Sequence, residues 1–219
     1  PDAFGDLVDS LLGDLPGSAE LDDGDRSPTP LFERRHVERP LEQTHFCLGT
    51  LAPTRTAEDR HAFALLNAIL GGGPSSRIFQ EIRERRGLAY SIGSFAAPYR
   101  DAGCFGISGG TSPENLRGVL DLSLAEIERI CREPVPEDEL ANAKDQARAH
   151  FLLSHESMNN RMSRLAEIEI YFDRYIPLAE TLAKIEAVTA ADLLRAAQTH
   201  LRAKPLAEVT LGPTAGSAL

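Results

Sequence analysis

Apolar positions recur along the chain in two distinct rhythms. Over residues 2–15, Phe4, Leu7, Val8, Leu11, Leu12 and Leu15 fall three or four residues apart, the spacing of an amphipathic helix that Pro16-Gly17 stops. Its apolar stripe must bury against something: its own domain, or a preceding domain of which it is the last helix. Residues 17–30 are polar and rich in Pro, Gly, Ser and Asp, and read as a linker with a domain boundary near residue 30. Asp22-Asp23-Gly24-Asp25 lacks the alternating ligands and closing Glu of a calcium loop. The period then shortens to two. Residues 32–38 and 44–51 read as strands separated by a polar turn with Pro40. Thr56 to Asp59 has the form of a capping box, and Ala62, Phe63, Leu66, Ile69 and Leu70 follow as a helical stripe.

Past the corner at residues 71–91, strands are expected at 88–97 and 103–110, joined by a hairpin loop at Pro98-Tyr99-Arg100-Asp101. The period then becomes helical and stays so. Ser112-Pro113 opens one helix with Leu116, Val119, Leu120, Leu124, Ile127 and Cys131 on one face. Pro134 and Pro136 open another with Leu140, Ala143, Ala147 and Phe151 inward, and further helices cover 157–173, 178–186 and 190–201. The last begins with the capping signature Thr189-Ala190-Ala191-Asp192, and Glu208 to Leu211 reads as a closing strand. This order predicts an α+β fold, a mostly antiparallel sheet with helices packed on one face.

The least generic passage is the corner itself, from Leu70-Gly71-Gly72-Gly73-Pro74-Ser75-Ser76 through Arg83 and Gly87 to Tyr90-Ser91. Gly71, Gly72 and Gly73 are able to take positive φ and admit a close backbone approach. Pro74 ends the preceding helix, and Ser75 or Ser76 can cap the next one. Ile78, Phe79 and Ile82 give that helix an apolar stripe, and Gly87 stands where a left-handed residue would end it. Arg83 then lies in the last helical turn and Tyr90 just inside the next strand, so both can reach a common space. A guanidinium and a phenol both donate hydrogen bonds toward a carbonyl or a developing oxyanion. The plainer alternative is a core tyrosine on the strand face of Leu88 and Ile92, and an arginine that complements the helix dipole. A phosphate-loop reading of the three glycines lacks the following Lys-Ser or Lys-Thr.

Composition narrows the classes. The 219 residues carry a net charge of −10, with 42% hydrophobic and 6% aromatic residues and no tryptophan. That suits a globular core and argues against nucleic acid or an anionic membrane as partner. No apolar run approaches the length of a membrane span. Cys47, Cys104 and Cys131 are odd in number and widely spaced, and read as free, mostly buried thiols in a reducing, cytoplasmic setting. The six histidines include no His-Glu-x-x-His or His-x-x-Glu-His. His150 and His155 stand on different helix faces, and His155-Glu156 reads as an ordinary surface pair. No Gly-x-Ser-x-Gly elbow is present, and no catalytic constellation is complete.

The passage Gly71-Gly72-Gly73-Pro74-Ser75-Ser76-Arg77-Ile78-Phe79-Gln80-Glu81-Ile82-Arg83, with Arg86-Gly87-Leu88-Ala89-Tyr90-Ser91, resembles the C-terminal domain of the pitrilysin/insulinase metallopeptidases. It is most similar to their bacterial, mitochondrial-processing-peptidase-like members. Leu48-Gly49, Phe151-Leu152-Leu153-Ser154 with Glu156-Ser157, Val188 to Leu193 and Val209-Thr210-Leu211-Gly212-Pro213 add to the likeness, which covers about residues 30–213. The resemblance implies a domain without zinc that closes over a homologous zinc-bearing N-terminal domain to form a chamber. It implies that Arg83 and Tyr90 hold a peptide substrate, supported by the loop of Gly71, Gly72, Gly73 and Ser76. No cofactor is then expected in this chain, zinc being expected in the preceding domain. The chain begins at Pro1, and residues 1–16 resemble the tail helix of that preceding domain, with 17–30 as linker and 31–219 as the non-zinc peptidase domain. The expected partners are a peptide and the zinc domain or a partner subunit, with neither nucleic acid nor membrane; the apolar face of residues 2–15 would also permit a homodimer. Relatives that serve as non-catalytic subunits supply the alternative reading, a scaffold or interaction module.

Overall fold

The structure, a computed structural model, describes residues 2–15 and 29–213. The elements follow the periodicities closely. They are α1 (Asp2–Leu12), β1 (Arg34–Glu38), β2 (Thr44–Ala52), α2 (Arg60–Gly71), a wide-turned helical segment (Phe79–Arg85), β3 (Ala89–Pro98) and β4 (Gly103–Thr111). A short 3-10 turn (Pro113–Asn115) leads into α3 (Leu116–Arg132), α4 (Glu137–Ser154), α5 (Met158–Phe172), α6 (Leu178–Glu186), α7 (Ala190–His200) and β5 (Ala207–Gly212). The proposed linker lies largely outside the described residues.

The five strands lie in the order β1-β5-β2-β4-β3. All neighbours are antiparallel except β1 and β5, which run parallel. Alternation decides the faces. In β2, Phe46 and Leu48 are buried while His45 is exposed; in β4, Phe105 and Ile107 are buried while Ser108 is exposed. The buried face packs on α2 and α7, with α3 and α4 joining them. Phe63 of α2 meets Phe105 edge to face, with ring centroids 5.9 Å apart. Each such buried aromatic or aliphatic side chain contributes about 1.5–3 kcal/mol of burial. The α+β plan with helices on one face therefore holds, and among the described residues no helix covers the opposite sheet face.

The helix ends reveal which capping signals acted. Thr189 and Asp192 form the predicted reciprocal box, each side chain bonded to the other's backbone N–H. Thr56 to Asp59 does not cap: α2 starts at Arg60, and the Asp59 carboxylate instead receives the His200 imidazole at 2.7 Å. His155 is no surface pair either. Its Nδ1 donates to the Phe151 carbonyl at 2.7 Å at the end of α4, and its ring lies against Phe151. Of the cysteines only Cys131 is buried; Cys47 and Cys104 are half-exposed, and all three are free thiols.

Two helices stand apart in their packing. The apolar residues of α1, Phe4, Leu7, Leu11 and Leu12, are exposed. In α5 only Ile168 is buried. Its attachments are largely cationic: Arg55 stacks on Tyr171 and pairs with Glu167, Arg60 stacks on Phe172, and Arg164 stacks on Phe151.

Candidate functional site

The corner after α2 is built by close packing. A methyl group on Gly71 would lie 2.6 Å from the Ser94 amide nitrogen, so only glycine lets the end of α2 rest on β3. None of Gly71, Gly72 and Gly73 takes positive φ, contrary to one expectation; Gly72 is in the ordinary right-handed region. Ser76 also departs from its expected part. It is buried and caps nothing: its hydroxyl donates to the Gly73 carbonyl at 2.5 Å and closes the loop on itself. Gly71 and the Ser76–Gly73 clasp thus fix the path of the chain between α2 and the next helical segment.

The following helix has wide turns over Phe79–Arg85, with Ile78 and Ile82 fully buried beneath it. Such turns are uncommon and concentrate at functional sites. Gly87 ends the helix in the left-handed conformation at φ +62°, as its position predicted. The closing bonds, Gly87 N–H to the Arg83 carbonyl at 3.1 Å and Leu88 N–H to the Ile82 carbonyl at 3.0 Å, each span one residue more than in the usual glycine-terminated α-helix.

Tyr90 enters β3 at a break in register. Ala89 pairs with Thr111 and Ser91 with Gly110, so Tyr90 is the extra residue of a β-bulge. The bulge resets the alternation. Ala89 and Ile92 are buried, while Tyr90 and Ser91 are both exposed. The core-tyrosine alternative therefore fails: Ile92 faces inward, and Tyr90 is 78% exposed. The Thr111 hydroxyl, donating to the Leu88 carbonyl at 2.5 Å, fixes the start of the strand.

The corner brings Arg83 and Tyr90 together. The Arg83 guanidinium carbon lies 5.8 Å from the Tyr90 ring centroid and 4.6 Å from that of Phe79. Its neighbouring arginines are engaged elsewhere. Arg85 and Arg86 share Glu81, whose carboxyl they hold below its usual range. Arg77 forks onto Glu139 of α4 through bonds of 2.8 and 2.6 Å, which pins the wide-turned segment to the helical layer and raises the arginine's affinity for its proton. Arg83 is different. Its nearest carboxylate, Glu84, stands 3.7 Å away, and among the described residues its N–H groups meet no acceptor within hydrogen-bond distance. A guanidinium held by a loose ion pair and a ring stack, with its N–H groups unbonded, beside an exposed phenol can donate to a carbonyl oxygen and favour the form that carries more negative charge.

The described residues do not fit a metal ion: no three His, Cys, Asp or Glu side chains gather to hold one. No helix among them is long and apolar enough to cross a membrane. A cavity of about 650 Å³ opens on the helical side, lined by Asp59, Arg60, His61, Lys184, Asp192 and Arg195. Burial first, and then Arg60, Lys184 and Arg55, push the His61 imidazole down to about 4, so it is neutral at pH 7.

Comparison with known proteins bears on these features together. The sequence model of the peptidase M16 inactive domain matches residues 1–147. An uncharacterized zinc protease of Mycobacterium tuberculosis is 37% identical over 177 residues, covering 81% of this chain and 40% of the relative. The uncharacterized zinc protease YmxG of Bacillus subtilis is 33% identical over 190 residues, covering 84% of this chain and 46% of the relative. The chain thus spans less than half the length of these curated relatives. Among solved structures, a peptidase M16 inactive domain from Pseudomonas fluorescens superposes with a TM-score of 0.85 at 27% identity, covering 100% of this chain and 52% of that one. The sheet, the helical layer and the corner are those of a non-catalytic half: the chain belongs to the peptidase M16 family, the pitrilysin/insulinase-type peptidases its sequence resembles, and carries that family's inactive domain.

Proposed function

We propose that this chain is the substrate-binding, chamber-closing C-terminal half of a zinc metalloendopeptidase. In this reading it holds an extended peptide against a zinc site carried by a preceding homologous domain. Arg83 and Tyr90 grip the carbonyl next to the scissile bond and favour its tetrahedral, oxyanionic form. The loop of Gly71, Gly72, Gly73 and Ser76 keeps that pair in place, and α1 is the segment through which the preceding domain continues into this one. Its exposed apolar face is then the surface that packs on that domain. The zinc domain would supply the activated water; this chain contributes position and charge.

The observation that carries this reading is the side-by-side placement of Arg83, whose N–H groups find no hydrogen-bond acceptor among the described residues, and an exposed Tyr90. A pure scaffold needs neither the bulge that turns the phenol outward nor an arginine that donates no hydrogen bond and keeps only a loose ion pair with its neighbour Glu84. The test is hydrolysis of a quenched fluorescent peptide library by this chain, first alone and then mixed with a separately made domain carrying the zinc motif. Activity is expected only in the mixture. Arg83→Ala should lower it about 10²–10³-fold, the usual loss on removing one oxyanion donor, and Tyr90→Phe should lower it measurably. A mixture that is folded, loaded with zinc and inactive would instead support the scaffold reading.

A further inference from the structure

The open face of the sheet brings together His45, Ser91 and Ser108 from three neighbouring strands. Register places His45 of β2, Gly110 of β4 and Ser91 of β3 in one row, and Cys47, Ser108 and Gly93 in the next. Gly110 in the first row and Gly93 in the second leave only serines standing on this part of β4 and β3. A shallow depression of about 460 Å³ results, with His45, Ser91, Ser108 and Gly93 in its lining. That volume lies within the common range of ligand-binding pockets, about 300–1,000 Å³. The His45 ring leans over Gly110, where an added methyl group would come within 3.3 Å of its Nδ1. In the following row the Phe95 ring lies over Gly106 and bounds the depression on that side.

This depression adjoins the Arg83–Tyr90 pair along the chain, because its lining residue Ser91 directly follows Tyr90. The bulge that exposes Tyr90 also turns Ser91 outward, so one peptide bond joins the two sites. We infer that the depression is a side-chain subsite for the peptide held at Arg83 and Tyr90, and that it selects short side chains with a hydrogen-bonding head: Ser, Thr, Asn or Asp. The inference rests on the peptide-binding reading of those two residues. The chemistry follows from the lining. Two hydroxyls and an imidazole nitrogen offer both donors and acceptors within one small concavity. A branched aliphatic side chain seated there would strip water from these groups and return no hydrogen bond. A site whose polar groups need a partner rejects an isostere lacking one more strongly than an apolar pocket rejects an extra methyl group.

The test uses this chain and labelled extended peptides that differ at one residue, read by fluorescence anisotropy and by ¹H–¹⁵N shifts. Peptides bearing Ser, Thr, Asn or Asp should bind at least about tenfold more tightly than those bearing Val or Leu, and should shift the amides of Ser91, Gly93, Ser108 and Gly110. Ser108→Phe, which fills the depression from an exposed position, and His45→Leu should both erase that ranking. Arg83→Ala should weaken every peptide alike. A ranking that survives both Ser108→Phe and His45→Leu, while Arg83→Ala still weakens binding, overturns the subsite and leaves the peptide-binding reading standing. Indifference to Arg83→Ala, or no peptide binding by the unaltered chain, overturns both. Shift dispersion in the free variants certifies their folding.

Discussion

Gly87 and Gly118 both stand in open space, yet alanine at the two positions should move stability in opposite directions. At either site an added methyl group meets no heavy atom within 4 Å, so neither substitution creates a clash. The backbone decides the outcome. Gly87 sits at φ +62°, where an L-residue pays about 1–2 kcal/mol. Gly118 lies within α3, where replacing glycine by alanine gains about 0.5–1 kcal/mol by narrowing the unfolded ensemble. The two variants should therefore differ by about 2 kcal/mol. Urea unfolding followed by circular dichroism reads this as Cm values displaced to opposite sides of the parent, with unchanged m. For a chain of 219 residues each kcal/mol moves Tm by about 2–4 °C. Gly87→Asn is the internal control, because asparagine tolerates the left-handed region and should recover much of the loss. The reasoning is refuted if Gly87→Ala is neutral or stabilising, or if asparagine costs as much as alanine. Gly87 also sets the angle between Arg83 and Tyr90, so Gly87→Ala should impair peptide binding more than its stability loss explains.

Stability should also fall as pH drops from about 6.5 to about 4, because the unfolded chain takes up a proton that the folded His61 refuses. Discounted for the ring's partial exposure, the loss is about 1–2 kcal/mol. His61→Gln should flatten this stretch of the profile in urea titrations at fixed pH, and an unchanged slope would remove His61 from the account. Arg77→Ala should cost about 1–3 kcal/mol by leaving Glu139 without its fork, and Arg77→Lys should recover little, since an ammonium cannot make two parallel bonds. Full rescue by lysine, seen in thermal unfolding, would show that charge alone matters there. Arg83→Ala and Tyr90→Phe should leave Tm within about 2 °C of the parent, because both side chains face solvent; a larger drop would mark them as structural.

Much of this was readable along the chain because the signals are local. The α2, α3 and α4 stripes, the Thr189-Asp192 box and the left-handed Gly87 each depend on residues within one or two turns. The seven-residue spacing of Arg83 and Tyr90 was legible for the same reason, since a helix stop between them fixes the geometry of the corner. What escaped was set by partners elsewhere. A bulge at Tyr90 is a property of β3 and β4 together, and no reading of β3 alone shows that its alternation resets. Ser76 looked like a cap and became a loop clasp once Gly73 turned its carbonyl toward it. Thr56 does not cap because α2 begins only at Arg60, and the Asp59 carboxylate is taken by His200, far along the chain. The grouping of His45, Ser91 and Ser108 is invisible in sequence, because only the register of three strands places them together.

The position of β5 dictates when this domain can finish folding. β1 and β2 follow each other closely in sequence but are not neighbours; the last strand lies between them. The His36 imidazole bonds the Thr210 hydroxyl across a separation of 174 residues. During synthesis β1 must therefore wait, its backbone unpaired, until nearly the whole domain has emerged. The long chain closure makes assembly of this edge a late event, and stop codons before residue 207 would leave β1 stranded and the edge of β2 bare. A ribosome-bound nascent chain should resist proteolysis over β2 to β4 well before it does over residues 34–38.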